Sequence, residues 1–229
     1  MIENRRLLLP YAGPYFAYVL FASLFENILP VWLNDSLCIC SAVALLAWAW
    51  RWYIPLWEKS TNTMASLAMG LLYGAFGCLL WIALLSPFAS QTSNTPWEEI
   101  DIIVRLLAAG LVVPIFEELM VRGYAFRLAL QWDRCRREGA LDPLYTVLHE
   151  QSIDDVHAGE WSWAAIWIST LVFMLGHTVS EWPAALCYGV LMCQLLIIRK
   201  DLLSCIIAHA VTNVCLVGYI YLTGRYNLW

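Results

Sequence analysis

The stretch Pro114-Ile-Phe-Glu-Glu-Leu-Met-Val-Arg-Gly123 places two adjacent carboxylates, Glu117 and Glu118, inside a long apolar run. An ionisable side chain at membrane depth is costly, so such residues are usually functional and have polar partners. The apolar runs that follow hold three further polar side chains: His177, His209 and Asn213. Carboxylates, imidazoles and an amide in separate apolar runs predict a catalytic site within a membrane.

The composition is typical of a membrane protein. Of the 229 residues, 61% are hydrophobic and 14% are charged, whereas a soluble domain carries about 25% charged residues. The chain also has 13 tryptophans and 11 tyrosines, side chains that concentrate where a membrane meets water. We therefore expect a single integral membrane domain over residues 1–229, with the catalytic motifs within 114–215, and we expect no nucleic acid as a partner.

Seven apolar runs are long enough to cross a bilayer, which takes roughly 17–25 residues in a helix. They are approximately 8–30, 36–54, 64–86, 99–121, 162–180, 183–198 and 202–222. The fourth run continues as a basic helix to about Arg137, with a separate interfacial helix at 124–137 as the alternative. Residues 91–96 and the acidic stretch 138–160 read as aqueous loops. The predicted fold is an all-α, polytopic membrane helix bundle with about seven to eight transmembrane helices.

Lysine and arginine are distributed unevenly between the two predicted sides of the membrane. Eleven of the 13 lie on the side of the N-terminus: Arg5, Arg6, Arg51, Lys59, Arg122, Arg127, Arg134, Arg136, Arg137, Arg199 and Lys200. Cytoplasmic loops carry the excess of basic residues. We therefore expect a multi-pass protein of the cell inner (plasma) membrane with a cytoplasmic N-terminus.

Helical spacing suggests how the polar residues divide their roles. Residues four apart share a face of a helix, which pairs Glu118 with Arg122 and His209 with Asn213. Because consecutive residues are about 100° apart, Glu117 points away from that ion pair and is expected to face a cavity. The ion pair alone could be a packing device, and each later side chain alone could be a hydrogen-bonded core residue. The joint pattern favours a shared site.

These groups suit hydrolysis by water. A poorly solvated carboxylate can act as a general base near neutral pH. An imidazole can hold the water or protonate the leaving amine. Asn213 and His209 can donate hydrogen bonds to the oxyanion, and one such donor lowers the barrier by about 3–4 kcal/mol. The motifs GxSxG, SxxK and HExxH are absent, which favours attack by water without a covalent intermediate.

The three motifs together resemble those of the CPBP (Abi) family, which includes the Ras-converting CAAX endopeptidase and bacterial bacteriocin-processing and immunity proteins. The family motifs EExxxR, FxxxH and HxxxN read here as Glu117-Glu118-Leu-Met-Val-Arg122, Phe173-Met-Leu-Gly-His177 and His209-Ala-Val-Thr-Asn213. Gly123 is also similar, whereas Val121 stands where many members carry phenylalanine. The short length, the many tryptophans and the basic N-terminus also resemble the branch found with bacterial exosortase sorting systems.

The resemblance implies a CAAX-prenyl-protease-like glutamate intramembrane protease. It implies that Glu117 activates water, that His177 orients it, and that His209 and Asn213 form the oxyanion hole. The ion pair of the first motif would give structural and electrostatic support. The implied partners are the lipid bilayer and a membrane-associated protein or peptide substrate. No cofactor and no metal are implied, and the sequence sets no oligomeric state.

Three alternatives remain open. A glutamate and two histidines can bind zinc. A non-enzymatic membrane immunity or partner-binding protein of the same fold would use the polar cluster as a packing device. A transporter would use Glu117 as a proton site, but the sequence lacks the two related halves with broken helices that are typical of transporters.

The three motifs are predicted at different depths in the membrane, so they could not meet if every helix were straight and normal to the membrane. Simple counting places Glu117 near the inner end of its span and His177 near the outer end of another. We therefore expect the fifth span to begin below the membrane interface and the fourth to sit deeper, with Arg122 inside. The site should then face a water-filled cavity that is open to the cytoplasmic side.

Four charged residues near span ends are assigned no chemical role: Glu26, Asp101, Arg105 and Glu181.

Overall fold

The computed structural model describes residues 2–26, 28–56, 62–89 and 96–229. Within these ranges the chain forms eight helices and no strand. They are α1 (Asn4–Phe25), α2 (Val31–Ala49), α3 (Thr63–Leu85), α4 (99–137), α5 (Pro143–Glu150), α6 (Trp163–Leu175), α7 (Trp182–Arg199) and α8 (Leu202–Thr223). Two parts of the predicted topology, Lys59 and residues 91–95, lie outside the described ranges.

Five of the described helices, α1, α2, α3, α7 and α8, are long and apolar enough to cross a membrane. α6 is also apolar, but its 13 residues extend only about 20 Å, less than the hydrocarbon core of about 30 Å. The predicted all-α membrane helix bundle is confirmed. The fourth predicted span is part of the longer helix α4.

α4 is one continuous helix with two wider, π-helical turns, at Ala108–Val112 and Leu119–Ala125. Its length at 1.5 Å per residue is roughly 58 Å, so it extends beyond a bilayer core. The second half, Phe126–Arg137, carries the basic residues, as predicted. The stretch 124–137 is therefore a continuation of α4 and not a separate interfacial helix.

The stretch 138–160 is more ordered than the predicted aqueous loop, because it contains α5 and a short turn packed on α4 and α1. The buried Asn4 donates from Nδ2 to Gln131 Oε1 at 2.8 Å and to the Val147 carbonyl at 2.8 Å. Its Oδ1 accepts from the backbone N–H of Ile153 at 2.6 Å. These bonds satisfy buried polar groups and join the N-terminus to the basic half of α4.

The main apolar core lies between α3, α4, α6, α7 and α8, and glycines let α3 and α8 pack closely within it. Gly70 and Gly74 have the GxxxG spacing that lets membrane helices approach each other. A Cβ on Gly74 would lie 2.6 Å from the Ala208 carbonyl oxygen, and one on Gly70 would lie 2.7 Å from Ile207 Cγ2. The neighbouring residue His209 is therefore held at a fixed distance from α3.

The start of α8 is set by Asp201. Its carboxylate accepts from the Ser204 N–H at 2.7 Å and from the Ser66 hydroxyl of α3 at 2.7 Å. The preceding residue, Lys200, has a left-handed φ of 62°, which ends α7 and lets the chain reverse. This cap sets the register of α8 against α3. It thereby sets the position of His209 and Asn213 along the bundle axis.

Candidate active site

The two adjacent carboxylates lie on α4 between its two π-helical turns. The Glu118 side chain is completely buried, whereas the Glu117 side chain is 14% exposed and lines a cavity. Their different directions follow from the rotation of about 100° between consecutive helical residues. Interruptions of the α-helix by π-helical turns are frequent at functional sites, so the helix geometry itself marks this position.

Glu118 is held by two cationic or potentially cationic neighbours. Its Oε1 lies 3.2 Å from Nη1 of Arg122, which is the predicted ion pair, and 2.8 Å from Nδ1 of His209. Arg122 is also fully buried, and its Nη2 donates to the Gly189 carbonyl at 3.3 Å. A guanidinium at this depth is tolerated because a carboxylate and a carbonyl accept its hydrogen bonds.

His209 of α8 stands between the two glutamates. Its Nδ1 contacts Glu118, and its Nε2 lies 3.8 Å from Oε2 of Glu117, which is too long for a hydrogen bond. A carboxylate on one ring nitrogen sets the tautomer and orientation of an imidazole. Glu118 therefore orients His209 so that Nε2 faces Glu117, a contact that the sequence motifs do not predict.

His177 follows the last turn of α6 and lines the same cavity. Its Nδ1 lies 2.9 Å from the Phe173 carbonyl oxygen, and its ring centroid lies 4.6 Å from the Phe173 ring. The Phe173 ring also lies 6.0 Å from the ring of His209. The FxxxH spacing thus has a physical reason, because one residue supplies the backbone partner of His177 and contacts both imidazoles.

Asn213 lies one helical turn after His209 and also lines the cavity. Its Nδ2 donates to the Ala109 carbonyl at 2.9 Å, within the first π-helical turn of α4. An amide nitrogen carries two N–H donors. One of them joins α8 to α4, and the other is available to a bound molecule.

A single cavity of about 190 Å³ is lined by all four predicted catalytic residues, Glu117, His177, His209 and Asn213. The predicted supporting residues, Glu118 and Arg122, lie behind this wall and hold it. Water in a liquid takes about 30 Å³ per molecule, so the cavity has room for several waters beside the carboxylate. The structure therefore brings together the residues that the three motifs single out.

No sequence motif singles out several other residues of the cavity wall. Trp81 of α3 is 6% exposed, and its indole Nε1 has no hydrogen-bond partner in the described part of the chain. Glu181, which the sequence assigns no role, lines the cavity and accepts from the Thr178 hydroxyl at 2.7 Å. Leu228 and Trp229 reach the cavity from beyond the end of α8. Only the tertiary fold brings these residues to the motifs.

The depth of α6 resolves the conflict between the predicted depths. α6 packs against Phe126–Arg137, the basic half of α4, so it begins at the polar end of the bundle. Because α6 is short, the following His177 lies inside the bundle and not at its far end. Arg122 is fully buried, which agrees with the expectation that the fourth span sits deep.

The position of the cavity in the bundle follows from the segments that form its wall. Its wall includes residues from the second half of α3, the turn between α6 and α7, and the segment after α8. None of its lining residues comes from 126–161. The cavity therefore extends toward the end of the bundle opposite the N-terminus. The expected opening to the cytoplasmic side depends on the orientation of the chain in the membrane and stays a prediction.

A second, larger cavity of about 600 Å³ lies between α1, α4 and α6. Its wall is apolar, with residues such as Leu8, Met120 and Leu175, and includes no carboxylate, imidazole or basic side chain. Its titratable side chains are the phenols of Tyr15 and Tyr124, with no carboxylate or imidazole beside them in this wall. The smaller, polar cavity is therefore the candidate active site.

The described residues contain no group of three or more His, Cys, Asp or Glu side chains placed to hold a metal ion. The zinc alternative requires such a group, since structural and catalytic zinc sites have at least three protein ligands. The arrangement of side chains gives that alternative no support, and chelation tests it directly.

The fold and the site define a multi-pass membrane protein with a buried polar centre of glutamates, histidines and an asparagine. The sequence model of the type II CAAX prenyl endopeptidase Rce1-like family matches residues 99–215, just over half of the chain. The chain belongs to this family, whose members are intramembrane CAAX-type endopeptidases. Comparison with individual curated proteins and with solved structures found no match.

The matched range runs from the start of α4 to a point within α8, so it contains all three motifs. Trp81, Leu228 and Trp229 lie outside it, although they form part of the cavity wall. The polar centre therefore lies within the matched range, whereas part of the wall around it comes from segments outside that range.

Proposed function

We propose that this protein is an intramembrane endopeptidase that hydrolyses a peptide bond of a membrane-associated or lipidated substrate, with Glu117 activating the attacking water. The position of the Glu117 carboxylate carries the proposal. It lines the polar cavity, and its ion-pair contact among the described residues is with His209 Nε2, at 3.8 Å. A carboxylate that no neighbour holds closely is free to accept a proton from water.

In the first step, a water bound between Glu117 and His177 gives a proton to Glu117 while its oxygen attacks the carbonyl carbon. His177 suits the orienting role, because Nδ1 is paired with the Phe173 carbonyl and Nε2 is left for the water. Holding the water at reacting distance supplies part of the rate enhancement. Glu118 is unsuited to the base role, because it is fully buried between Arg122 and His209.

The carbonyl oxygen becomes an oxyanion in this step. The second N–H of Asn213 would donate a hydrogen bond to it, and so would Nε2–H of His209 in the imidazolium form, in which both ring nitrogens are donors. Glu118 would accept from Nδ1–H and keep His209 in place. Such preorganised donors are worth about 3–4 kcal/mol each in a site that excludes bulk water. When the carbon–nitrogen bond then breaks, the leaving amine takes the proton from Glu117, which restores the carboxylate and releases both products.

We place the protein in the cell inner (plasma) membrane with a cytoplasmic N-terminus. The excess of basic residues predicted for the side of the N-terminus supports this orientation. The substrate is a membrane-associated protein or peptide, because the proposed base lies among membrane helices and not on a soluble domain.

The variant Glu117→Gln tests the proposal, because it keeps the size of the side chain and removes the base. We expect processing to fall by about 10²–10⁴-fold, the usual contribution of a general base. The measurement is mass spectrometry of the C-termini of membrane proteins from cells with either form. Glu99→Gln, the same change at an exposed position at the start of the same helix, is the matched control and should process normally.

Normal processing by Glu117→Gln, present at the wild-type level, would reject the proposed mechanism. That result would leave the alternative of a non-enzymatic immunity or partner-binding protein with the same fold. The same assay on purified protein after exhaustive chelation tests the zinc alternative, and retained activity would exclude it.

A further inference from the structure

The residues that follow α8 fold back over the candidate active site. α8 ends at Thr223, the following Gly224 turns the chain with a φ of 69°, and Tyr226–Leu228 form a single 3-10 turn. Leu228 is 1% exposed, and both Leu228 and Trp229 line the cavity that holds the predicted catalytic residues. We call residues 225–229 the cover.

Aromatic contacts with the segment at the start of α4 hold the cover. The ring centroid of Trp97 lies 5.3 Å from that of Tyr226 and 5.6 Å from that of Trp229. The guanidinium carbon of Arg105 lies 4.7 Å from the Trp97 ring and 5.6 Å from the Trp229 ring, within the range of cation–π attraction. None of these four residues belongs to a catalytic motif, so the contacts can be changed without touching the chemistry.

The cavity is small for a peptide while the cover is in place. Its volume is about 190 Å³, whereas cavities that hold ligands usually measure about 300–1,000 Å³. Most of the other lining residues lie on α3, α4, α6, α7 and α8, which pack together in the main core. The cover is one short turn, and Trp229 is 47% exposed. Displacing it disturbs the fold less than separating two membrane helices.

We propose that Leu228 and Trp229 are specificity-determining residues, which occupy space that the substrate peptide must take and so decide which side chains enter the cavity. The inference rests on the proposed function for its substrate. The closure of the cavity by the cover can, however, be measured without hydrolysis. Both residues lie outside the family-matched range of 99–215 and outside the three motifs, so they can be changed without altering the motif residues.

A cover of this kind has a defined kinetic effect. If only the open form binds substrate, the apparent affinity falls by the open fraction. Weakening the cover should therefore lower KM and widen the range of accepted side chains. The rate of the chemical step should change little, because the cover residues act before the bond is broken.

Access to the cavity is measured by alkylation of a cysteine placed at Leu216, which lines the cavity and is 6% exposed. The exposed native cysteine beside it is removed in every form by Cys215→Ala, and fragment-ion mass spectrometry separates the introduced cysteine from the seven native ones that remain. Trp97→Leu, added to Leu216→Cys, removes the indole ring that contacts Tyr226 and Trp229. It leaves the residues that line the cavity unchanged. We expect alkylation to become about tenfold faster, in line with the rise in open fraction. Trp163→Leu, at an exposed tryptophan on α6, should leave the rate unchanged.

Selectivity is measured with Leu228→Ala and a set of peptides that differ in side-chain size. We expect KM for the bulkier peptides to fall by about tenfold with kcat nearly constant. Should Leu228→Ala not be recovered folded, Trp229→Ala takes its place, because that ring is partly exposed. Thermal unfolding of each variant checks that the bundle is intact.

Unchanged alkylation in Trp97→Leu and an unchanged peptide preference in Leu228→Ala or Trp229→Ala would overturn the proposal. Faster alkylation together with hydrolysis of bulkier peptides would support it. Faster alkylation with no hydrolysis by any form would support closure by the cover and reject the proposed function. Failure of this inference and failure of the proposed function therefore give different results.

Discussion

Glu117 and Glu118 are neighbours in the chain, yet their surroundings differ. Glu118 has Arg122 and His209 within 3.2 Å of one carboxylate oxygen and is completely buried. Glu117 is partly exposed to the cavity, and its contact with His209 measures 3.8 Å. Removing one partner of a buried ion pair leaves an unpaired charge in a low dielectric. Loss of Glu118 should therefore impair folding, and loss of Glu117 should impair chemistry.

We predict that Glu118→Gln lowers the free energy of unfolding by about 3–5 kcal/mol, the usual cost of breaking a buried ion pair on one side. The cost arises because Arg122 keeps its charge without an anion beside it. Glu117→Gln should leave the stability nearly unchanged. Denaturant or thermal unfolding of both variants, purified in the same detergent, measures the difference.

The double variant Glu118→Gln with Arg122→Met provides the control. It removes both charges at nearly constant volume, and replacing both partners of a buried pair is often neutral. It should therefore recover most of the stability that Glu118→Gln loses. A Glu118→Gln protein as stable as the wild type would show that the ion pair is not required for folding.

At the scale of helices, α3 positions α8 although α3 contains no catalytic motif. The Thr212 hydroxyl of α8 donates to the Gly74 carbonyl at 2.9 Å, and a Cβ on Gly74 would lie 2.6 Å from the Ala208 carbonyl oxygen. The two helix backbones are thus close enough that only glycine fits. His209 lies between Ala208 and Thr212 on the same helix, so its distance from Glu117 depends on this packing.

We predict that Gly74→Ala destabilises the protein by about 1–3 kcal/mol, the usual range for overpacking a core. The added methyl would meet a backbone oxygen, so α8 must move away from α3. Because α8 carries His209 and Asn213, peptidase activity should fall in the same variant. Unfolding and hydrolysis assays on one preparation test both effects together.

Gly218→Ala is the matched control for this prediction. Gly218 also lies on α8, but a Cβ there would meet no atom within 4 Å. Alanine is favoured over glycine inside a helix by up to about 1 kcal/mol, so this variant should be neutral or slightly more stable. If Gly74→Ala behaves like Gly218→Ala, the close approach of α3 and α8 does not position the site.

At the scale of the whole molecule, the two ends of the bundle differ. One end carries the N-terminus, the basic half of α4 and α5, which are joined through the buried Asn4. The opposite end carries the cover and its contacts with Trp97 and Arg105. The sequence assigns eleven of the 13 basic residues to the side of the N-terminus, which is the distribution expected of a cytoplasmic face.

We predict that the two ends lie on opposite sides of the membrane, because α5 packs on α1 at one end of the bundle, whereas the cover contacts Trp97 at the other. A fluorescent protein that matures only in the cytoplasm should fluoresce when inserted after Gly139, an exposed glycine beyond α4. The same reporter fused after Trp229 should be dark. An alkaline phosphatase reporter, active only outside, should give the opposite pattern.

Fluorescence from both positions would contradict this topology and imply an even number of crossings. Fluorescence from the Trp229 fusion alone would indicate the reverse orientation and place the candidate cavity toward the cytoplasm. Either outcome leaves the geometry of the four cavity residues unchanged and alters only the compartment that the cavity faces.

Much of the architecture could be predicted from the sequence, because it depends on local physics. The length of an apolar run sets whether a helix can span a bilayer, and the helical repeat sets which residues share a face. These rules predicted the membrane helices, the extension of α4 to Arg137, and the pairing of Glu118 with Arg122. The three motifs also indicated which polar residues are candidates for a shared site.

The remaining features depend on contacts between residues far apart in the chain. Glu118 and His209 are 91 positions apart, and no spacing rule relates Trp81 or Leu228 to the motifs. Only the tertiary structure decided that α6 is short enough to keep His177 inside the bundle, and that the cavity extends away from the N-terminus. The physical reason is that a buried polar group must find its partner wherever packing brings one. The sequence by itself determined a membrane helix bundle and its polar residues, and packing determined their meeting point and the residues that cover it.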